Sequence, residues 1–339
     1  MVNVAVNFNA VQEAAISLMQ SDLRFLYTVV KNINTGESNY LPSLQPYMGI
    51  IIDGVEDWVR SFNNSNKSKL NIPVFNNSEQ LYYEKMRDSV KMWHKNYNEI
   101  YESLKYVYKE SDTYFASLCK PFAKVLKLYD IFGVDRANGI VCGNTILCFY
   151  YNSLYSFEDN GEYIKSMAEI AGEYTALFGA MEEYLIDDSI KFDTRDYGGF
   201  QKSPVGNAFS DKFVLFSILC QINFLVYCVD RWIKEEIPTK LRFTYLLYFS
   251  LIEIIPQINR KLNTIFAMDD SWYSREFRNA MAHYKLGVAL KEEEIVSDDL
   301  LYGLTIKYFD ASYMKTKKTI LSELQNLSRQ IEKYLQLKW

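Results

Sequence analysis

Histidine is almost missing from this chain: there are two in 339 residues, His94 and His283. A multi-histidine metal centre is thereby excluded. Glycine and proline are scarce as well, at 14 and 7, which argues against an all-β or low-complexity chain, because both need frequent turns and breakers. The five cysteines, Cys119, Cys142, Cys148, Cys220 and Cys228, are odd in number and lie mostly in apolar runs. They form no CxxC pair and no Cys/His cluster, and they read as reduced core residues of a cytosolic protein. A strong net charge is missing too. At −5 overall the chain has no sequence-blind pull on phosphates, so a nucleic-acid enzyme made from it needs local basic patches.

The N-terminus, MVNVAVNFNAVQEAAISLMQ, has no basic segment ahead of an apolar run. No secretion signal is read there, and a cytoplasmic location is expected. The longest apolar run, Phe213 to Val229, has 17 residues with Gln221 and Asn223 inside it. That is short and polar for a bilayer, so it reads as a buried core helix and no membrane partner is expected.

What is plentiful is aromatic side chain, with 27 Tyr and 21 Phe among 49% hydrophobic and 23% charged residues. This is the balance of a soluble globular protein whose helices pack through rings, long enough for two domains or one large one. The pattern is all-α. Helical periodicity runs over residues 8–31, from Pro46 to Phe62, and from Glu79 to Glu110, with the Asn-rich 63–78 as a loop. Residues 112–132 continue helical with Pro121 kinking the helix or splitting it in two, and GVDRANG after them reads as a turn. An apolar segment at 140–155 and a helix at 161–187 follow. The acids Glu182, Glu183, Asp187 and Asp188 read as a solvated helix end, since no third group converges on them to hold a metal.

The turn-rich stretch KFDTRDYGGFQKSPVGN marks the boundary. Gly198 and Gly199 within it make no phosphate loop, because no GK[ST] follows. The expected division is an N-terminal helical region at 1–190, a connecting loop at 191–209, and a helical bundle at 210–339. Two long apolar helices, about 211–234 and 239–266 with Pro256 as a kink, are joined by a turn short enough to force an antiparallel pair. In 285–310 the segment LTIKYF suits a short strand, and a last helix covers 311–337.

Between these elements lies SWYSREFRNAMAHYKLG, residues 271–287. On a helical wheel Tyr273, Phe277, Met281 and Tyr284 fall within about 80° and form an apolar stripe. Arg275, Glu276, Asn279 and His283 fall opposite, with Asn279 and His283 one turn apart. Arg278 sits on the flank, about 140° from His283. Asp269, Asp270 and Ser271 offer N-caps and Gly287 a stop. A structural alternative has Arg278 paired with an acid from a neighbouring helix and His283 ending a helix as a cap. Glu253, inside an apolar helix, reads as an accessory site acid, as half of a buried ion pair or as an exposed helix position. His94, flanked by Trp93 and Lys95, reads as a solvated helix face with its rings packed inward, the alternative being a base-stacking patch.

The run RNAMAH, Arg278 to His283, resembles the Arg-polar-x-x-x-His signature of the HEPN superfamily, helical-bundle domains that include many metal-independent ribonucleases. The resemblance covers residues 210–339. It implies cleavage of RNA by the ribose 2′-OH with no metal and no cofactor, in a protein acting as a toxin or anti-phage effector, with an antitoxin or defence partner. Arg278 would hold the phosphate, His283 would carry the proton, and Asn279 would orient one or the other. Arg275 and Glu276 would be accessory. Lys285, Lys315, Lys317 and Lys318 would line an RNA path, with a solvated basic face as the alternative. The resemblance also implies a homodimer with two motifs facing each other. A Tyr two residues after His, modified in some HEPN toxins, has no counterpart, since Tyr284 is immediately next and Lys285 follows. The competing function is a non-enzymatic helical protein that binds a nucleotide or a protein.

Overall fold

The computed structural model describes residues 8–32, 40–67, 69–72, 76–118, 120–125, 132–152, 160–197, 203–206 and 208–337. Cys119, Gly198 and Gly199 lie outside them. The chain is mostly helical. It opens with α1 (Ala10–Asn32), α2 (Tyr40–Ser65) and α3 (Asn77–Val90). Pro46 lies inside α2 and does not begin it.

The long helix expected at 79–110 is broken. A 3-10 turn, Lys91–His94, follows α3, and α4 (Tyr97–Leu118) starts afresh. Asn96 explains the restart. Its Oδ1 accepts from Glu99 N at 3.0 Å, satisfying one otherwise orphaned helix-start donor, while its Nδ2 donates to Glu99 Oε1 at 2.6 Å.

After α5 (Pro121–Val125) comes the main departure from an all-α chain. Phe132–Ala137 (β1) and Ile140–Asn144 (β2) form a hairpin, and Phe192–Tyr197 (β3) pairs with the other edge of β1, giving the antiparallel order β2-β1-β3. The stretch read as a turn, GVDRANG, is therefore mostly strand. Its turn is Asn138-Gly139, both at positive φ, 49° and 80°, as a two-residue hairpin of strand-matching twist requires. The segment expected as a connecting loop supplies the third strand.

Between the strands lie α6 (Thr145–Asn152) and α7 (Asn160–Leu177). The second stops ten residues short of the expected 187. Gly179 at φ 68° lets the chain turn, and Ala180 N bonds back to Thr175 O at 2.8 Å. Glu182, Glu183, Asp187 and Asp188 thus lie beyond the helix.

The remaining helices are α8 (Asp211–Asn223), continued by a π-helical stretch to Arg231, then α9 (Pro238–Leu262), α10 (Arg275–Ala282), α11 (Leu286–Ala289), α12 (Leu304–Phe309) and α13 (Tyr313–Leu335). LTIKYF is helix α12 and not a strand, entered through Gly303 at φ 92°. The two apolar stretches, 211–231 and 238–262, are long and apolar enough to cross a membrane by length and composition. In this structure 89% and 78% of their most apolar windows are buried inside the protein.

Gln221 is buried there because Tyr151 donates to its Oε1 at 2.8 Å and its Nε2 donates to Tyr47 at 2.9 Å. Asn223 accepts from Ser328 at 3.1 Å. Gln221 thus has both ends of its amide paired, as a core tolerates, whereas Asn223 Nδ2 is buried with no hydrogen-bond partner among the described residues. Cys142, Cys220 and Cys228 are buried and Cys148 half-buried, none of them in a disulfide. One buried cluster takes in Val11 on α1, Val134 on β1, Phe243 on α9 and Leu335 on α13. No break in packing falls at 190 or 210 among the described residues.

Candidate functional site

The segment 271–287 packs on α9. Its helix is shorter than expected. Ser274 caps the start, its Oγ accepting from Phe277 N at 3.1 Å, whereas Asp269 closes a separate turn on Ser271. The helix ends at Ala282, and His283 is extended, φ −135° and ψ 155°. Gly287 is inside α11 and stops nothing.

Arg242 provides the reason. Its Nε and Nη2 donate to Met281 O at 3.0 and 2.9 Å, and that carbonyl would accept from Lys285 N if the helix continued. Arg242 and Asp22 form an ion pair buried to 1% and 0% side-chain exposure. Thr239 donates to Asp22 Oδ1 at 2.6 Å, and the Tyr284 hydroxyl donates to Oδ2. Burial raises the Tyr284 phenol to about 12, so it keeps the proton it donates. Tyr284 is therefore buried as expected, but by a turn of the chain and not by continuing the helix.

That turn separates the two ends of the motif. His283 is exposed. Loss of water around the ring lowers its pKa; Asp57 and Asp53 oppose the shift, and Lys285 and Arg87 reinforce it. Of these, Lys285 pairs with Asp57 at 2.8 Å and Arg87 grips Asp53 with two contacts of 3.0 Å.

Arg278 has other company. Its guanidinium carbon stands 5.4 Å from the centre of the Phe249 ring. Tyr273 stacks on the same ring at 4.4 Å and 12°, and His94 meets it at 5.7 Å and 55°. Arg278 Nη1 donates to Asn279 Oδ1 at 2.9 Å, while its Nε is buried with no hydrogen-bond partner among the described residues. Glu253 on α9 accepts from the Tyr273 hydroxyl at 2.6 Å, and Arg275 Nε donates to the same hydroxyl at 3.3 Å.

Burial lowers the His94 pKa to about 4, with Arg278 and Lys91 adding to the shift and Glu253 opposing it. The ring is neutral at pH 7. In the unfolded chain it binds a proton near its ordinary value of 6.5, so its stability contribution is lost as pH falls from there through 4.

No match was found. Family models, curated proteins and solved structures were each compared with the chain, and none resembles it significantly. The likeness to HEPN proteins therefore rests on the residues from Arg278 to His283 themselves.

The remaining expected residues divide. Arg275, Asn279 and Glu253 share the face of Arg278. Glu276 is exposed and takes a 3.4 Å contact from Ser274 Oγ. Lys317 is a correction: it is buried between Asp230 and Glu236, 2.6 Å from each, and cannot line an RNA path. Lys315 and Lys318 on α13 and Lys285 are exposed. The residue underrated in the sequence is His94. The signal in the sequence is Asn96-x-x-Glu99, the start of α4 just after it.

Proposed function

We propose that this chain is a metal-independent endoribonuclease in which the ribose 2′-OH attacks the adjacent phosphorus, leaving a 2′,3′-cyclic phosphate and a 5′-OH. The observation that carries this reading is Arg278, which is bonded to Asn279 and still has an unspent donor beside an aromatic floor. A planar guanidinium in that position can grip two phosphate oxygens and oppose the charge that builds on them. Neutral imidazole is the matching proton acceptor, and His283 supplies it in the reading that the resemblance implies. The aromatic pair Tyr273 and Phe249 offers stacking, and exposed Arg275 and Lys95 offer charge. The role is that of a toxin or anti-phage effector held in check or triggered by a partner protein.

Incubating the purified protein with mixed ribosomal and transfer RNA in EDTA tests the reaction. Cleavage to cyclic-phosphate ends is expected. Arg278→Ala and His283→Ala should each reduce it by on the order of 100-fold or more without changing the melting temperature. Intact RNA, or cleavage only with added metal, removes the proposal. The same reading expects a homodimer, and light scattering that shows a monomer at every workable concentration counts against that part.

One observation favours a second reading, a non-enzymatic nucleotide-binding protein. An open cleft of about 420 Å³ lies between α1, α2 and residues 285–292, with Trp58 and Phe62 on its wall and Lys285 and Lys291 beside them. That size suits a small ligand. Nucleotide binding by calorimetry, with no RNA cleavage, would select it.

A further inference from the structure

His94 is the one imidazole placed on the same ring as Arg278. The Phe249 side chain carries both, Arg278 at 5.4 Å and His94 at 5.7 Å. Three separate elements build this face: the 3-10 turn brings His94, α9 brings Phe249, Ser250 and Glu253, and α10 brings Arg278. Both His94 and Arg278 are half-buried, so neither is sealed from a ligand at the surface. The hydrogen bonds around the ring add direction. Ser250 Oγ lies 3.2 Å from His94 Nδ1 and 3.1 Å from Nε2, and its own hydrogen is directed to Leu246 O at 2.9 Å. A hydroxyl whose proton is committed in that way can only accept from the imidazole. In the neutral ring one nitrogen carries the proton and can donate to Ser250, and the other is an acceptor, whichever tautomer is present.

We propose that His94 is the general base of the RNA-cleavage reaction, working with Arg278 in one chain. This inference rests on the ribonuclease reading above. In the step it describes, the 2′-O–H proton passes to the unprotonated nitrogen of His94 as the O2′–P bond forms. The P–O5′ bond breaks, and the leaving 5′-oxygen takes a proton from water. Arg278 faces the phosphate oxygens throughout. The charged groups that face His94 are Arg278 from α10, Glu253 from α9 and Lys91 from its own turn. Burial first, and then two cations against one carboxylate, hold the ring in its neutral, accepting form. His94 thus enters the reaction ready to take a proton, and it becomes a stronger acid once Arg278 stands beside its charged form.

His94→Gln tests the role, because the amide retains size and a bond to Ser250 but cannot take up a proton near neutral pH. The expected result is a loss of RNA cleavage of at least about 100-fold in kcat/KM, the usual scale for a general base, with an unchanged melting temperature. The acid limb of the pH–rate profile should disappear with it. A merely structural histidine would move the melting temperature and leave that limb in place.

A second measurement separates this inference from the parent reading. With two histidines in the chain, each ring signal in a two-dimensional NMR titration is assigned by one variant. His94 should titrate near pH 4, and Arg278→Ala should raise its midpoint. If the wild type cleaves RNA while His94→Gln cleaves equally well, or if the His94 midpoint ignores Arg278→Ala, this inference is overturned and the nuclease stands. A wild type that leaves RNA intact removes both.

Discussion

Asp22→Ala is expected to cost the fold about 3–5 kcal/mol, the loss typical of removing one member of a buried ion pair. Asp22 is fully buried and is the counter-ion of Arg242, which is 1% exposed. Without it the guanidinium keeps its two bonds to Met281 O and its stacking on Tyr284, 4.5 Å from the ring centre, but it has no opposite charge. Thr239 and Tyr284 lose their acceptor at the same time, and each unsatisfied hydroxyl adds to the cost. Asp22→Asn should fall between, since it restores an acceptor but not the charge. The double replacement Asp22→Leu with Arg242→Met should recover much of the loss, because apolar groups of similar size often substitute for a buried pair. Urea unfolding of the four proteins measures it. An Asp22→Ala midpoint equal to the parent's would show that the pair contributes nothing.

The same substitution should loosen the motif. Met281 O is held by Arg242, and Tyr284 by Asp22, so the end of α10 and the turn at His283 depend on α1 and α9. Amide exchange at 281–284 is expected to speed up in Asp22→Ala more than exchange along α13. None of this was legible in the sequence. Asp22 stands in an amphipathic helix whose other acid, Glu13, is exposed, and period alone cannot say which acid turns inward.

Elements with a long apolar period were legible. Helices expected at 8–31, 211–234, 239–266 and 311–337 appear as α1, α8 with its π-helical extension, α9 and α13, with ends shifted by a few residues. What periodicity missed was punctuation. Asn138-Gly139 is the residue pair most suited to a tight hairpin, and reading it only as a turn hid both strands beside it. β3 was hidden because FDTRDY alternates without a strong apolar face: its Phe192 is only half-buried, and Tyr197 alone is buried. Its pairing partner β1 is far away in the chain, and long-range pairing leaves no local mark. LTIKYF has strand-like composition, but Leu304 and Thr305 are buried in a single turn of helix under α13; tertiary packing overrode propensity.

Half of the site was legible and half was not. A chain-local motif named Arg278, Asn279 and His283, and the wheel set Asn279 opposite the apolar stripe and Arg278 on its flank. The wheel failed at His283 because it assumes that the helix continues, and a carbonyl taken by Arg242 ends it. Glu253 was suspected from its position in an apolar helix, and its partner is a tyrosine and not a cation. His94 was read as a helix face because the break after it depends on a side-chain cap that the apolar pattern does not register.

Phe277→Ala should cost about 3–5 kcal/mol, the usual range for deleting a buried ring. Its side chain is fully buried and meets three rings edge-on, Tyr245 at 4.6 Å, Phe309 at 4.8 Å and Tyr308 at 5.8 Å. Such edge-to-face pairs add to the area that burial removes from water. The neighbours cannot collapse easily into the gap. Tyr245 is tied through its hydroxyl to the carbonyl of Trp272 at 2.8 Å and accepts from Ser274 N at 3.0 Å, so the floor under α10 is pinned. A cavity there keeps most of its volume, and cost rises with the volume that remains. Phe277→Leu fills more of the space and should lose less than half as much. Because Phe277 lies between Glu276 and Arg278, the cavity should also disturb the site: Arg278 should lose its fixed height over Phe249, and RNA cleavage should fall more than folded fraction alone explains. Melting Phe277→Ala and Phe277→Leu beside the parent, with cleavage measured on the same samples below the transition, decides it. A Phe277→Ala protein that melts with the parent would mean that this ring is not part of the core.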